Sequence, residues 1–304
     1  MTWVAHFKTV EDPLSQLQHG DTMTFRPVTP TFDGAPRAGQ VEDSEKTEGL
    51  VLCLMFSDDG SHSIQGSAVM VAAGIALAST HVLESRMAKI ESGSHSLMCL
   101  GIGTSGVQAW HVKHIARHSG FDICVLSLQC ISELPRNVEF HRAMITTRVP
   151  AIGERLVMTG FRPEKDAFEI KDRSSELAAS LYLSSGNVQN HYLNGRDKTL
   201  APWPSLEIDS PSVGGMSGGP VFDSRGYLVG LISRSFEMGA DSEPSPTLVA
   251  LIWPALAVKF LGGWPFPASE PRSLLELSDN ACSIERPSAV KVTSADVSSF
   301  DPWT

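Results

Sequence analysis

The sequence predicts an all-β protein built mostly of antiparallel strands. Between Gly49 and Thr80 three apolar runs of strand length are separated by Ser57-Asp-Asp-Gly60 and Ala73-Gly74, both turn chemistry. The second half repeats the texture, with apolar runs at 154–160, 179–183, 187–193, 205–209, 219–222, 227–233 and 247–252. Between two of those runs stands Gly215-Met-Ser-Gly-Gly-Pro220, too rich in glycine for a strand or helix interior. Its backbone is therefore bent around Ser217.

In chain order, residues 1–47 read as an extension or linker. Leu14, Leu17 and Phe25 can dock on a core, whereas Pro27, Pro30, Gly34, Pro36 and the acidic run Glu42–Glu45 read as loop. Leu50–Phe56, Ile64–Ala72 and Ile75–Thr80 are the first strands, and the third delivers His81 ahead of a single helical turn at Val82–Ser85. Phe121-Asp122 opens the apolar strand Ile123–Leu128. A charge at the mouth of such a strand is costly unless a partner is buried with it. An imidazole N–H is such a partner, because the carboxylate would set its tautomer and stabilise the imidazolium formed on proton transfer. After Ser217, Gly219–Phe222, a turn at Asp223–Gly226 and Tyr227–Ser233 make a hairpin. Pro254 is expected to start a helix that Gly262-Gly263 stops. Residues 264–304 read as a tail, draped over the core or mobile.

Composition excludes several functions. The 304 residues are 42% hydrophobic and 19% charged, enough for one large core or two small ones. A net charge of −10 without any Lys/Arg cluster excludes a nucleic-acid partner and serves solubility. No membrane span is expected, since the longest apolar stretch, Thr247–Leu261, is broken by Pro254 and Lys259. The first residues carry no signal-like apolar run, and the 5 cysteines form no C-x-x-C pair. Both point to reduced thiols and a cytoplasmic location. His111, His114 and His118 have the spacing of helical zinc ligands, but in a strand and loop they scatter, and no local cysteine or acid completes a set. No metal or other cofactor is expected.

Ser217 is the candidate nucleophile. An attacking oxygen must stand clear of its neighbours, with backbone N–H groups aimed at the oxyanion that forms, and glycines permit both. The letters also fit the nucleophile elbow of α/β-hydrolases, in which the histidine follows the serine. Every histidine here precedes Ser217, the last being His191. That reading fails.

Apolar-Ser79-Thr-His-Val82, Asp122-Ile-x-Val-Leu126 and Gly215-x-Ser-Gly-Gly-Pro220, in that order, resemble the trypsin-like serine peptidases of chymotrypsin fold. The general form is similar to the bacterial intracellular or HtrA-like branch, and the forty or so residues after Gly262 are too few for that branch's PDZ domain. The resemblance covers about residues 49–262. It implies two six-stranded antiparallel β-barrels and a short C-terminal helix: residues 48–134 for the first barrel, 135–149 for a linker, 150–263 for the second barrel and helix, and 264–304 for the tail. It implies His81 as general base, Asp122 as its orienting acid and Ser217 as nucleophile, with the N–H groups of Gly215 and Ser217 as oxyanion hole. It places the substrate pocket at Pro211, Ser212, Ser233, Arg234, Ser235 and Ala250. With no carboxylate on that pocket's floor, small or medium apolar side chains are preferred over Lys or Arg. Arg234 either recruits an acidic residue at a neighbouring subsite or faces solvent.

Two departures matter. Met216 stands where the digestive enzymes carry an aspartate that pairs with a newly cut N-terminus, so activation by such a cut is not implied. The disulfides of those enzymes are missing as well. The expected partners are a protein or peptide substrate and, for an effector-type enzyme, an activating protein docked on the extension or tail. The alternative is a catalytically idle trypsin fold serving as a binding or scaffold module.

Overall fold

A computed structural model describes residues 3–300 except 33, 36–38, 41–46, 59–60, 104–105, 172–173, 236–244, 266–267, 279–280 and 295–296. Part of the turn expected at 57–60, Pro36 and the acidic run 42–45 lie outside the described residues.

The N-terminal extension is woven into the molecule. Its strands are β1 (Trp3–Lys8), β2 (Met23–Val28) and β3 (Gly39–Gln40). Phe25 docks as its chemistry suggested, stacking on Phe140 at 4.8 Å and meeting Trp264 edge-on at 5.9 Å.

The first barrel closes six antiparallel strands: β4 (Val51–Asp58), β5 (Ser61–Ala72), β6 (Ile75–Ser79), β7 (Ser96–Gly103), β8 (Gly106–Arg117) and β9 (Ile123–Cys130). Helices α1 (Thr80–Glu84) and α2 (Met87–Glu91) connect β6 to β7. Residues Val51–Phe56 are all buried because both faces of β4 are covered. Leu52, Leu54 and Phe56 join a core fed by every strand of the barrel, while Val51, Cys53 and Met55 pack with Phe161 and Leu181. Truncating one of these leucines to alanine would cost roughly 2–5 kcal/mol.

Strand β10 (Val138–Ala143) lies parallel to β2, and the two-residue β11 (Ile145–Thr146) leads into the second barrel. That barrel runs β12 (Arg155–Lys171), β13 (Ser174–Tyr192), β14 (Ser205–Ile208), β15 (Pro220–Phe222), β16 (Leu228–Ser235) and β17 (Thr247–Leu251). Its ring order is β15-β12-β13-β14-β17-β16, closed by β15 pairing with β16. Val69, Val71, Leu77, Ile123 and Val125 of the first barrel enter the same core as Leu156, Leu206, Val221 and Leu231 of the second. The barrels share one apolar core.

Two local expectations are corrected. The strands read at 179–183 and 187–193 are one strand, β13, which runs through Gly186 in unbroken register with β12; a Cβ at Gly186 would lie 2.6 Å from both Asp209 Oδ1 and Ser210 Cβ. The helix expected from Pro254 to Leu261 is a single 3-10 turn, Trp253–Ala257. Val258 is extended, and Phe260 bridges Arg272 through two backbone hydrogen bonds of 2.9 Å. Tertiary pairing outweighs helical propensity there.

The tail drapes over the barrels. Strand β18 (Ile284–Glu285) pairs with β11, and β19 (Val290–Ser294) with β20 (Val297–Phe300) form a small hairpin whose Phe300 stacks on Trp253 at 5.2 Å. Arg225 forks onto Glu285 at 2.8 and 2.9 Å and also reaches buried Asp223, which in turn binds Arg148 at 2.8 Å. The Arg225 hydrogen bonds hold the Glu285 carboxyl down at about 2. A carboxyl depressed on folding stabilises the protein above its unfolded pKa of about 4.3, and that gain is lost as pH falls toward 2. We predict that Glu285→Gln lowers the melting temperature near neutral pH by the equivalent of about 0.5–1 kcal/mol, as for a partly exposed network. The difference from wild type should narrow through pH 2 and close below it. A gap that persists there would mean that Glu285 acts by packing.

Candidate active site

Strand β6 is buried throughout and ends against the second barrel, where Ser79 Oγ donates to Ile232 O at 3.0 Å instead of capping α1. The chain then turns into α1 with His81 in its first turn. Asp122 lies 3% exposed at the head of β9, beside it. Its carboxylate accepts from His81 N (Oδ1, 3.0 Å) and from His81 Nδ1 (Oδ2, 2.8 Å), and the Ser233 hydroxyl donates to Oδ2. Three donors satisfy the buried charge. Since a carboxylate only accepts, the Nδ1 proton faces Asp122 and Nε2 is left as the basic nitrogen.

The serine loop is held by close backbone contacts that only glycine allows. Gly218 has φ +83°, and a Cβ there would sit 2.2 Å from Ser67 O and 2.9 Å from Ser79 N. Ser217 O accepts from Ser67 N at 2.8 Å. The Ser217–Gly218 peptide is thus wedged between β5 and the end of β6, two residues before His81. Ser67 Oγ donates to Gly215 O at 2.9 Å and accepts from Phe161 N at 2.8 Å, which ties the loop to both barrels. Gly218 N donates to Ile232 O at 2.8 Å, and Ile232 N to Gly219 O at 2.9 Å. Met216 is buried in the shared core, its Sδ 3.4 Å from Val213 N. Gly215 has φ +95°. Among the described residues the amides of Gly215 and Ser217 donate to no backbone carbonyl.

Residues 66–231 match the trypsin-like peptidase domain family, more than half of the chain. The protein belongs to the trypsin-like peptidases. Among solved structures, the crystal structure of Deg5 is similar at 18% identity and a TM-score of 0.47, covering 68% of this chain and 85% of that one. No curated protein matches the sequence.

The residues expected to line the substrate pocket are spread over two strands and a loop. Pro211 and Ser212 are half-buried, and Pro211 O accepts from Ser184 Oγ at 2.8 Å. Ser184 Oγ also bonds Ser210 Oγ at 2.7 Å, and Thr247 Oγ1 donates to Ser210 O at 2.7 Å. Asp209 accepts from Asn187 N at 2.6 Å. Ser233 turns its hydroxyl onto Asp122, so its side chain is engaged there rather than in a pocket. Ala250 is buried in the middle of β17, paired with Ser205 and Leu231. Arg234 is half-buried with its Cζ 6.0 Å from the Trp203 ring centroid, and Ser235 is exposed at the end of β16. The structural roles of Ser67, Ser79 and Ser233 were missed by sequence reasoning; the available signal was a hydroxyl set inside an otherwise apolar strand.

The histidines with zinc-like spacing lie on or beside β8. His111 pairs with Met98 and Gln129, and burial lowers its pKa, with Lys113 adding to the effect. His118 accepts from Gly120 N at 3.0 Å and stacks on Phe121 at 4.7 Å. Among the described residues no group of three His, Cys, Asp or Glu could hold a metal ion. We predict that His118→Ala and His111→Ala each retain most of the peptidase activity, read as kcat/KM on a peptide substrate. An essential His118 would reverse the assignment to His81.

All five cysteines are free and buried. Burial pushes the Cys124 and Cys282 thiols up to about 12, which leaves them inert at neutral pH. Among the described residues no helix is long and apolar enough to cross a membrane.

Proposed function

We propose that this trypsin-like peptidase is a cytoplasmic serine endopeptidase that works through an acyl-enzyme. Ser217 Oγ attacks the scissile carbonyl while His81 Nε2 takes its proton. The N–H groups of Gly215 and Ser217 bind the oxyanion, and His81 then protonates the leaving amine before water releases the acyl group. The observation that carries this reading is the buried Asp122 carboxylate, bonded to His81 Nδ1 at 2.8 Å and to Ser233, beside a serine loop with two free amides. Those amides also speak against the idle scaffold reading, for which a collapsed loop would consume them.

Beyond Ile232, β16 pairs only with β17 among the described residues, so Ser233–Ser235 present an open edge to which an extended peptide can add as a strand. The hydroxyls of Ser184 and Ser210, bonded to each other, and that of Thr247, which donates to Ser210 O, lie near Pro211 with no carboxylate among them and support a preference for small or medium apolar side chains. Burial of Met216 supports a loop held by packing, without an ion pair to a cut N-terminus. Buried free thiols support the cytoplasmic placement.

The test is labelling of the purified, uncut chain with a fluorophosphonate probe, its mass checked intact. Labelling at Ser217 without cleavage is the expected result. A folded chain that stays unlabelled would favour the idle module, or an effector switched on by a partner protein.

A further inference from the structure

Arg234 is placed by the catalytic machinery itself. The register of β16 against β17 shifts between Ile232 and Arg234, which makes Ser233 the extra residue of a bulge. The bulge turns Ser233 onto Asp122 and leaves Arg234 opposite Leu248. A strand rises about 3.3 Å per residue, so a peptide laid along Ser233–Ser235 carries its second to fourth upstream side chains past Arg234.

The chemistry at this spot lacks an acceptor. Arg148 and Arg225 are each bonded to carboxylates, whereas Arg234 has no carboxylate partner among the described residues. Its Nε is enclosed without a hydrogen-bond partner, and so is Nε1 of Trp203, the ring over which the guanidinium lies. Glu207, opposite Leu248 on β14, is engaged by Asn190, Tyr192 and Arg196. Enclosed donors without acceptors are costly, and a guanidinium steadied on an indole is preorganised for a bidentate carboxylate. In a chain of net charge −10, this is a half-buried local cation.

We propose that Arg234 selects peptides carrying a Glu or Asp side chain two to four residues before the scissile bond; this rests on the reading of Ser233–Ser235 as the substrate edge. The test uses decapeptide pools, degenerate apart from a central Ala set just before the scissile bond and a Glu, Gln or Lys fixed one, two or three residues before that Ala, hence two to four residues before the bond. Their binding to the Ser217→Ala protein is measured by fluorescence anisotropy, in that background and with Arg234→Gln or Arg234→Glu added. With Arg234 present, a Glu pool should bind about tenfold more tightly than its Gln counterpart. The ratio should fall to about one in Arg234→Gln, and Arg234→Glu should favour the Lys pool. A Glu-to-Gln ratio near one with Arg234 present, a ratio that survives Arg234→Gln, or no binding by any pool overturns the proposal. Fluorophosphonate labelling of the wild-type chain in parallel separates the two readings. Glu preference without labelling would remove the peptidase and keep the selectivity, and labelling without preference would do the reverse.

Discussion

Ser217→Ala is expected to abolish fluorophosphonate labelling and to lower peptide hydrolysis by about 10⁶-fold, leaving the residual catalysis that the oxyanion hole and binding alone can supply. The fold should survive. What holds the loop is the backbone at this position, through Ser67 N to Ser217 O at 2.8 Å, and the packing of Gly218 and Met216 around it. None of these contacts uses the hydroxyl, so the melting temperature should move by no more than the equivalent of about 0.5 kcal/mol. His81→Ala should be equally silent, and the double mutant should be no worse than either single, because nucleophile and base act as one unit. Hydrolysis that persists undiminished in purified Ser217→Ala would remove the serine-peptidase reading altogether.

Asp122→Asn is the second large effect, an expected loss of about 10⁴ in kcat with little change in structure. The Asp122 carboxylate accepts from the His81 backbone N–H, from His81 Nδ1 and from Ser233. An asparagine keeps one acceptor oxygen and turns an NH₂ toward one of those donors. The least costly adjustment is for His81 to move its proton to Nε2, so that Nδ1 accepts from the new amide. Nε2 can then no longer take the proton of Ser217. Nitrogen NMR of His81 would show the tautomer change directly, and Ser233→Ala, which removes one of the three donors, should cost far less. If Asp122→Asn keeps activity within tenfold of wild type, Asp122 is a structural anchor for α1 and the orienting role assigned to it is wrong.

Local chemistry alone made much of this readable. Apolar runs cut by turn residues announced an all-β chain, and a glycine-crowded serine can only sit on a tight turn. The order His81, Asp122, Ser217 excluded an α/β-hydrolase, and an aspartate heading an apolar strand demanded a buried donor. These signals are legible because they lie within a few neighbouring residues, where sterics and solvation act. What the tertiary structure alone decided concerns groups far apart in the chain. Ser67, Ser79 and Ser233 look like incidental strand serines, yet their hydroxyls reach Gly215 O, Ile232 O and Asp122 across the barrel interface. The runs 179–183 and 187–193 look like two strands and are one, because the 209–210 segment packs against the bare Cα of Gly186 between them. The helix expected after Pro254 yields to the bridge between Phe260 and Arg272, and the tail is fixed by a charge network running from Arg148 to Glu285. In each case the partner that satisfies a buried hydroxyl, carbonyl or charge is supplied only when the two barrels close on one another, and no local pattern encodes which distant atom that partner will be.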